Sequence, residues 1–222
     1  SLTTSNRLRL QEGFREDLSN FNKSILNEYE LRKKLFFKNY IENGRILIKY
    51  VDSDSTTLCN QIRYISDPKH NIGGVLIDYF QKSPSVTVLS THCGNWELLG
   101  GVFAYLDNTG LECPFTQENM RVVYKKLSSE ISDEIFKRNR ISPLGKGREE
   151  CVIESSNILR YAITHRNEKK IYCYPADQAP YWKAGKHFIG DFMNQPTNAM
   201  QGSMGVACKL SHSVLYLKMR RV

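Results

Sequence analysis

From Phe21 to about Tyr50, apolar residues recur at helical spacing (Phe21, Ile25, Tyr29, Leu35, Phe36, Tyr40, Ile41, Leu47 and Tyr50) among many Lys, Arg and Glu. This pattern predicts one long helix or two, with Gly44 as its weak point. Residues 51–74 are polar and turn-rich, with Asp67-Pro68 and Gly73-Gly74 as breakers, and read as a connection. Beyond them the pattern alternates. Apolar or β-branched runs at 86–89, 121–124, 171–174 and 214–217 predict strands, and the amphipathic segments 96–106, 131–138, 151–164 and 200–210 predict helices between them. The expected fold class is α/β: a three-layer α/β/α domain around a mostly parallel sheet, preceded by an N-terminal helical region. Residues 1–70 are then the helical region and connection, and 71–222 the α/β core, within one domain. A strand pattern running straight into Arg220-Arg221-Val222 suggests a fragment of a longer chain.

Composition narrows the classes. With 222 residues, 41% of them apolar and 24% charged, the chain can bury a core, and it is neither collagen-like nor wholly disordered. No run approaches the ~18 apolar residues of a spanning helix, and the first residues lack the apolar centre of a signal peptide. The 6 cysteines form no CxxC pair, so neither a metal site nor a disulfide framework is expected, and their scatter fits reduced thiols. The net charge of +8 favours an acidic partner: nucleic acid, an anionic membrane face, or an acidic protein or substrate. There is no aromatic-basic interleaving like that of an RNA-binding sheet, which argues against nucleic acid.

One segment carries chemistry: Ser90-Thr91-His92-Cys93-Gly94-Asn95-Trp96-Glu97-Leu98. A buried strand ends at Ser90, a turn holds His92, and Asn95 is a good N-cap for a helix from Trp96. The carboxyl end of a strand in an open α/β sheet is where ligands bind. On a continuous helix five residues turn ~500°, which leaves His92 and Glu97 about 140° apart. They can pair only if the break at Gly94-Asn95 sets His92 on the turn and Glu97 in the first helical turn. A carboxylate so placed holds one imidazole tautomer and stabilises the imidazolium, making a general base for a hydroxyl. An isolated His-x4-Glu more often pairs a strand-capping histidine with a solvated glutamate.

The spacing is not isolated. Thr91-His92-Cys93-Gly94-Asn95-Trp96-Glu97-Leu98 resembles the HxxxxE/D block of the lipid A biosynthesis (late) acyltransferases, within the lysophospholipid acyltransferase superfamily. Further blocks follow in what looks like that family's order: Val122-Val123-Tyr124-Lys125, Pro175-Ala176-Asp177-Gln178, Phe192-Met193-Asn194-Gln195-Pro196-Thr197, and Val214-Leu215-Tyr216-Leu217 with Arg220. The resemblance covers about residues 20 to 222. It departs at Lys125-Lys126, where family members often carry Arg and then Asn-Pro, and lysine lacks the planar bidentate fork. The family's N-terminal membrane segment has no counterpart here, so an upstream anchor or peripheral docking is expected.

The resemblance implies transfer of a fatty acyl group from an acyl carrier protein or CoA thioester to a hydroxyl of a lipid A precursor, at the cytoplasmic face of the bacterial inner membrane. No bound cofactor is implied. It makes His92 and Glu97 the catalytic pair and assigns substrate contacts to Asn95, Lys125, Asp177, Gln178 and Thr197. Expected partners are the acyl donor, the glycolipid acceptor and an anionic membrane surface. Two other functions fit the same residues: phospholipid or ornithine-lipid O-acylation, and a non-catalytic basic module that binds membrane or nucleic acid. A thiol nucleophile at Cys93, a basic loop at Gly145-Lys146-Gly147-Arg148, and a solvated basic run at Lys137, Arg138, Arg140, Lys146 and Arg148 complete the candidates.

Overall fold

A computed structural model describes residues 23–49, 55–62, 71–93, 96–107, 113–145, 147–178 and 187–218. The chain divides between Arg45 and Ile46 into two compact units. Helix α1 (Lys23–Lys49), most of which belongs to the first, runs unbroken through Gly44. Its Leu31, Leu35, Phe36, Phe37, Tyr40 and Ile41 are exposed.

The second unit continues with α2 (Ser55–Gln61), α3 (Ile72–Lys82) and β1 (Val86–Ser90). A 3₁₀ turn, Trp96–Gly101, then runs into α4 (Val102–Asp107), followed by β2 (Met120–Tyr124), α5 (Glu130–Ile141), β3 (Val152–Glu154), α6 (Ile158–Thr164) and β4 (Ile171–Pro175). A hairpin of β5 (His187–Phe192) and β6 (Gln195–Ala199) precedes α7 (Gly202–Leu210) and β7 (Ser213–Tyr216). Five strands form one parallel sheet in the order β3-β2-β4-β1-β7, and the fold is α/β.

Strands buried on both faces are expected to be largely apolar on both, and buried polar residues such as Thr87 of β1 and Arg121 of β2 are hydrogen-bonded, to His212 and to Tyr161 and main-chain carbonyls. Val86, Val88, Val122 and Cys173 pack one face against Ile72 and Leu76 of α3 and Val102, Phe103 and Leu106 of α4. Val123, Ile153, Tyr172 and Tyr174 pack the other against Ile158 and Ala162 of α6 and Val206 of α7. The result is three layers. Burial of a side chain such as Leu76 or Leu106 stabilises the fold by about 1.5–3 kcal/mol.

The order of strands also locates a crevice. The connection from β1 to β2 passes β4 by way of α4 on one face, and that from β4 to β7 passes β1 by way of α7 on the other. The chain therefore leaves neighbouring β1 and β4 toward opposite faces, which opens a crevice at their carboxyl ends.

Three elements differ from the sequence pattern. Gly73 and Gly74 do not break the chain but lie in the first turn of α3, where the Asn71 side chain accepts from the Gly73 amide at 2.9 Å. This cap and the burial of Ile72 and Leu76 outweigh a glycine cost of about 1 kcal/mol each. The segment 151–164 splits, because β-branched Val152 and Ile153 pair with β2 before α6 begins. The hairpin turns at Met193 and Asn194, whose φ values of 52° and 59° suit the twist of a tight antiparallel pair. Among the described residues no helix is long and apolar enough to cross a membrane.

Candidate active site

The parallel register pairs Ser90 of β1 with Pro175 of β4, and the Ala176 amide donates to the Ser90 carbonyl at 2.9 Å. Two residues further along each chain, His92 and Asp177 therefore stand opposite one another at the crevice. The Asp177 carboxylate accepts the His92 backbone N–H at 3.1 and 3.0 Å, and its Oδ1 lies 2.5 Å from His92 Nδ1. A carboxylate accepts only, so Nδ1 carries a proton, and in the neutral ring Nε2 is the nitrogen with the lone pair. Side-chain exposures of 23% for His92 and 33% for Asp177 leave the pair within reach of a ligand while screening it in part from water. The Trp96 ring meets the imidazole edge-on, with centroids 4.5 Å apart.

The expected His92–Glu97 pair is not formed. Glu97 turns inward, and Arg140 Nη2 donates to its Oε1 at 2.9 Å. Arg140 Nε also lies 2.7 Å from Glu97 Oε2, an ion-pair contact that lacks hydrogen-bond geometry. The side chains are 7% and 1% exposed, so the pair is effectively out of water. Burial pushes the Glu97 carboxyl up to about 7, against the charge and hydrogen bond of Arg140, which pull it down. The reason for the different partner is local. Trp96–Gly101 is a 3₁₀ turn, in which consecutive side chains point about 120° apart. With Trp96 facing His92, Glu97 is carried round toward the interior.

Two glycines allow that turn its position. A Cβ on Gly100 would come within 2.9 Å of Val122, and one on Gly101 within 2.5 Å of the Tyr105 hydroxyl and 2.7 Å of Pro143. Tyr105 in turn donates to the Leu98 carbonyl at 2.8 Å, which ties the turn to α4.

The remaining candidates are dispersed. Asn95, Lys146 and Arg220 lie outside the described residues. Lys125 is exposed immediately after β2, on the same edge of the sheet as His92 but with β4 between their strands. Gln178 is exposed beside Asp177. Thr197 lies in the hairpin, outside the five-stranded sheet, where its hydroxyl donates to the Gln195 carbonyl at 2.8 Å. Cys93 is exposed and makes no hydrogen bond to His92. Ser90 is buried, with its hydroxyl 3.4 Å from the Tyr174 carbonyl, and offers no nucleophile. His165 and His212 are engaged away from the crevice, on the Tyr161 carbonyl and the Thr87 hydroxyl.

Arg140 does not belong to a solvated basic run, as its neighbours suggested: it is buried, whereas Arg138 is exposed and pairs with Glu134. The signal was present in the spacing. Asp133, Phe136 and Arg140 follow one another at i, i+3 and i+7 on the inner side of α5, where Asp133 accepts from the Leu127 amide at 2.8 Å.

No protein-family model and no curated protein matches this chain. The chemistry on offer is that of an oriented imidazole: it can take a proton from a hydroxyl at Nε2 and return one to a leaving group, with its own Nδ1–H anchored on Asp177.

Proposed function

We propose that this chain is an O-acyltransferase that moves a fatty acyl group from an acyl carrier protein or CoA thioester to a hydroxyl of a lipid A precursor. The observation that carries the reading is the His92–Asp177 pair, partly exposed at the carboxyl ends of β1 and β4. His92 Nε2 removes the proton of the acceptor hydroxyl, and the oxygen attacks the thioester carbonyl. The tetrahedral intermediate collapses with cleavage of the carbon–sulfur bond, and the imidazolium returns the proton to the departing thiolate. Asp177 takes over the orienting role first assigned to Glu97. The oxyanion is stabilised by backbone N–H groups or by Lys125.

The choice of substrate rests on the sequence blocks around His92, Tyr124, Asp177 and Thr197. The charge of +8 suits an acidic carrier protein, a nucleotide thioester or a phosphorylated glycolipid. Contact with the cytoplasmic face of the inner membrane is made by the exposed aromatic side of α1 with Lys33, Lys34 and Lys38, with or without an upstream anchor. Incubating the protein with acyl carrier protein and CoA thioesters, and with lipid A precursors, phospholipids and ornithine lipids in turn, tests the reading. The expected result is an ester product by mass analysis with the glycolipid, absent in His92→Ala. Transfer to another lipid alone replaces the acceptor, and no product with any acceptor refutes the activity.

A further inference from the structure

We infer that Arg140 is a positioning residue for His92, acting through the Trp96 ring; the inference rests on the reading of His92 as the proton-transferring group. The Arg140 guanidinium carbon lies 5.8 Å from the Trp96 centroid, and the same indole meets His92 at 4.5 Å. Arg140 is itself immobilised by Glu97, and the rings of Tyr124 and Phe136 lie 5.2 and 5.9 Å from it. These contacts join the last turn of α5, the end of β2 and the turn after β1 into one support beneath the crevice.

The composition of this support has a physical meaning. The attraction within a buried ion pair seldom recovers more than the cost of taking both charges out of water, so an apolar filling would serve packing equally well. What the pair supplies is a fixed geometry. A guanidinium is planar, lies against aromatic faces and grips a carboxylate, whereas an ammonium is a point charge on a flexible stem. Asp177 anchors His92 by one edge of its ring, and a ring held by one hydrogen bond can still tilt about it. The Trp96 contact restrains that tilt and aims Nε2 into the crevice. Glu97 thus acts on His92 at two removes, through Arg140 and then Trp96.

The test compares Arg140→Gln, Arg140→Lys and Trp96→Leu, reading acyl-transfer kinetics together with the ¹⁵N relaxation signals of the His92 ring, which report its mobility without turnover. Arg140→Gln is expected to lower kcat roughly 10–100-fold with KM unchanged, and to raise the mobility of the His92 ring while Asp177 still holds its Nδ1–H. Arg140→Lys keeps the charge facing Glu97 but not the planar contact, so it should restore stability without restoring the His92 signature. Trp96→Leu should reproduce the signature with the Glu97–Arg140 pair intact, and it carries the test if Arg140→Gln does not fold. Unaltered His92 signals in Arg140→Lys and Trp96→Leu would overturn the inference. If the wild-type protein transfers no acyl group, the function proposed above fails, while the relaxation signals of the His92 ring still decide whether Arg140 acts on His92.

Discussion

Asp177 holds His92 by two groups at once, accepting its backbone N–H on both carboxylate oxygens and its ring Nδ1–H on Oδ1. The backbone contact fixes where the residue sits, and the ring contact fixes which nitrogen faces the crevice. Because the two depend on one carboxylate, Asp177→Asn removes more than a charge: an amide presents one acceptor and one donor where two acceptors stood. His92→Ala is expected to lower kcat roughly 10²–10⁴-fold, the usual worth of general-base catalysis. Asp177→Asn should follow within about tenfold of it, and Glu97→Gln should cost less than either, because Glu97 touches neither His92 nor the crevice. Steady-state kinetics on the three variants check this order, and a loss in Glu97→Gln exceeding that in Asp177→Asn would reverse the assignment.

Cys93 neighbours His92 in the chain but does not share its hydrogen bonds, so Cys93→Ser should keep wild-type kcat/KM. Rapid quenching with a labelled thioester should leave no acyl group on the protein. A trapped thioester on Cys93 would instead mean a thiol nucleophile.

The buried Glu97 carboxyl makes stability depend on pH in a defined sense. Its folded-state pKa is raised from 4.5 to about 7, so the folded protein holds the proton more tightly than the unfolded chain does. Its contribution to stability is present in full below about pH 4.5 and is lost as pH rises through about 7. Urea denaturation at pH 5 and pH 8 should show this decline in the wild type, and Glu97→Gln should lack the part due to Glu97. Equal slopes in the two proteins would show that Arg140 keeps Glu97 ionised throughout.

Gly101 lets the turn after β1 approach Tyr105 and Pro143 more closely than any side chain permits. Gly101→Ala is therefore expected to destabilise the protein by about 1–3 kcal/mol through overpacking. Since the same turn carries Trp96 and Glu97, thermal unfolding and acyl transfer should both fall. A variant of wild-type stability would mean that Tyr105 swings aside without cost.

The exposed apolar residues of α1 predict binding to anionic lipid. Co-sedimentation with anionic vesicles at low salt should bring down the wild type, and replacing Phe36 and Phe37 by Glu should abolish it. Wild-type protein left in the supernatant would exclude α1 as the attachment.

Much of this architecture is legible without coordinates. The runs at 86–89, 121–124 and 171–174 coincide with β1, β2 and β4 to within a residue, because strands buried on both faces need short runs rich in apolar and β-branched residues. His92 was equally visible, since its place after a buried strand is a matter of adjacent residues. Asp177 stood out too, as a substrate contact in a matching block, but not as the partner of His92. Asp177 lies 85 residues away and comes within reach only because the sheet places β4 beside β1 in a register that aligns the loops beyond them. Arg140, 43 residues from Glu97, became its partner for a similar reason: α5 ends against the turn whose 3₁₀ winding sends Glu97 inward. Hydrophobic periodicity reports what each segment must bury, and so specifies the elements one at a time. The pairing of charged groups across elements depends on strand order and on a rotation of about 120° per residue in a short turn, and those were decided only when the layers packed.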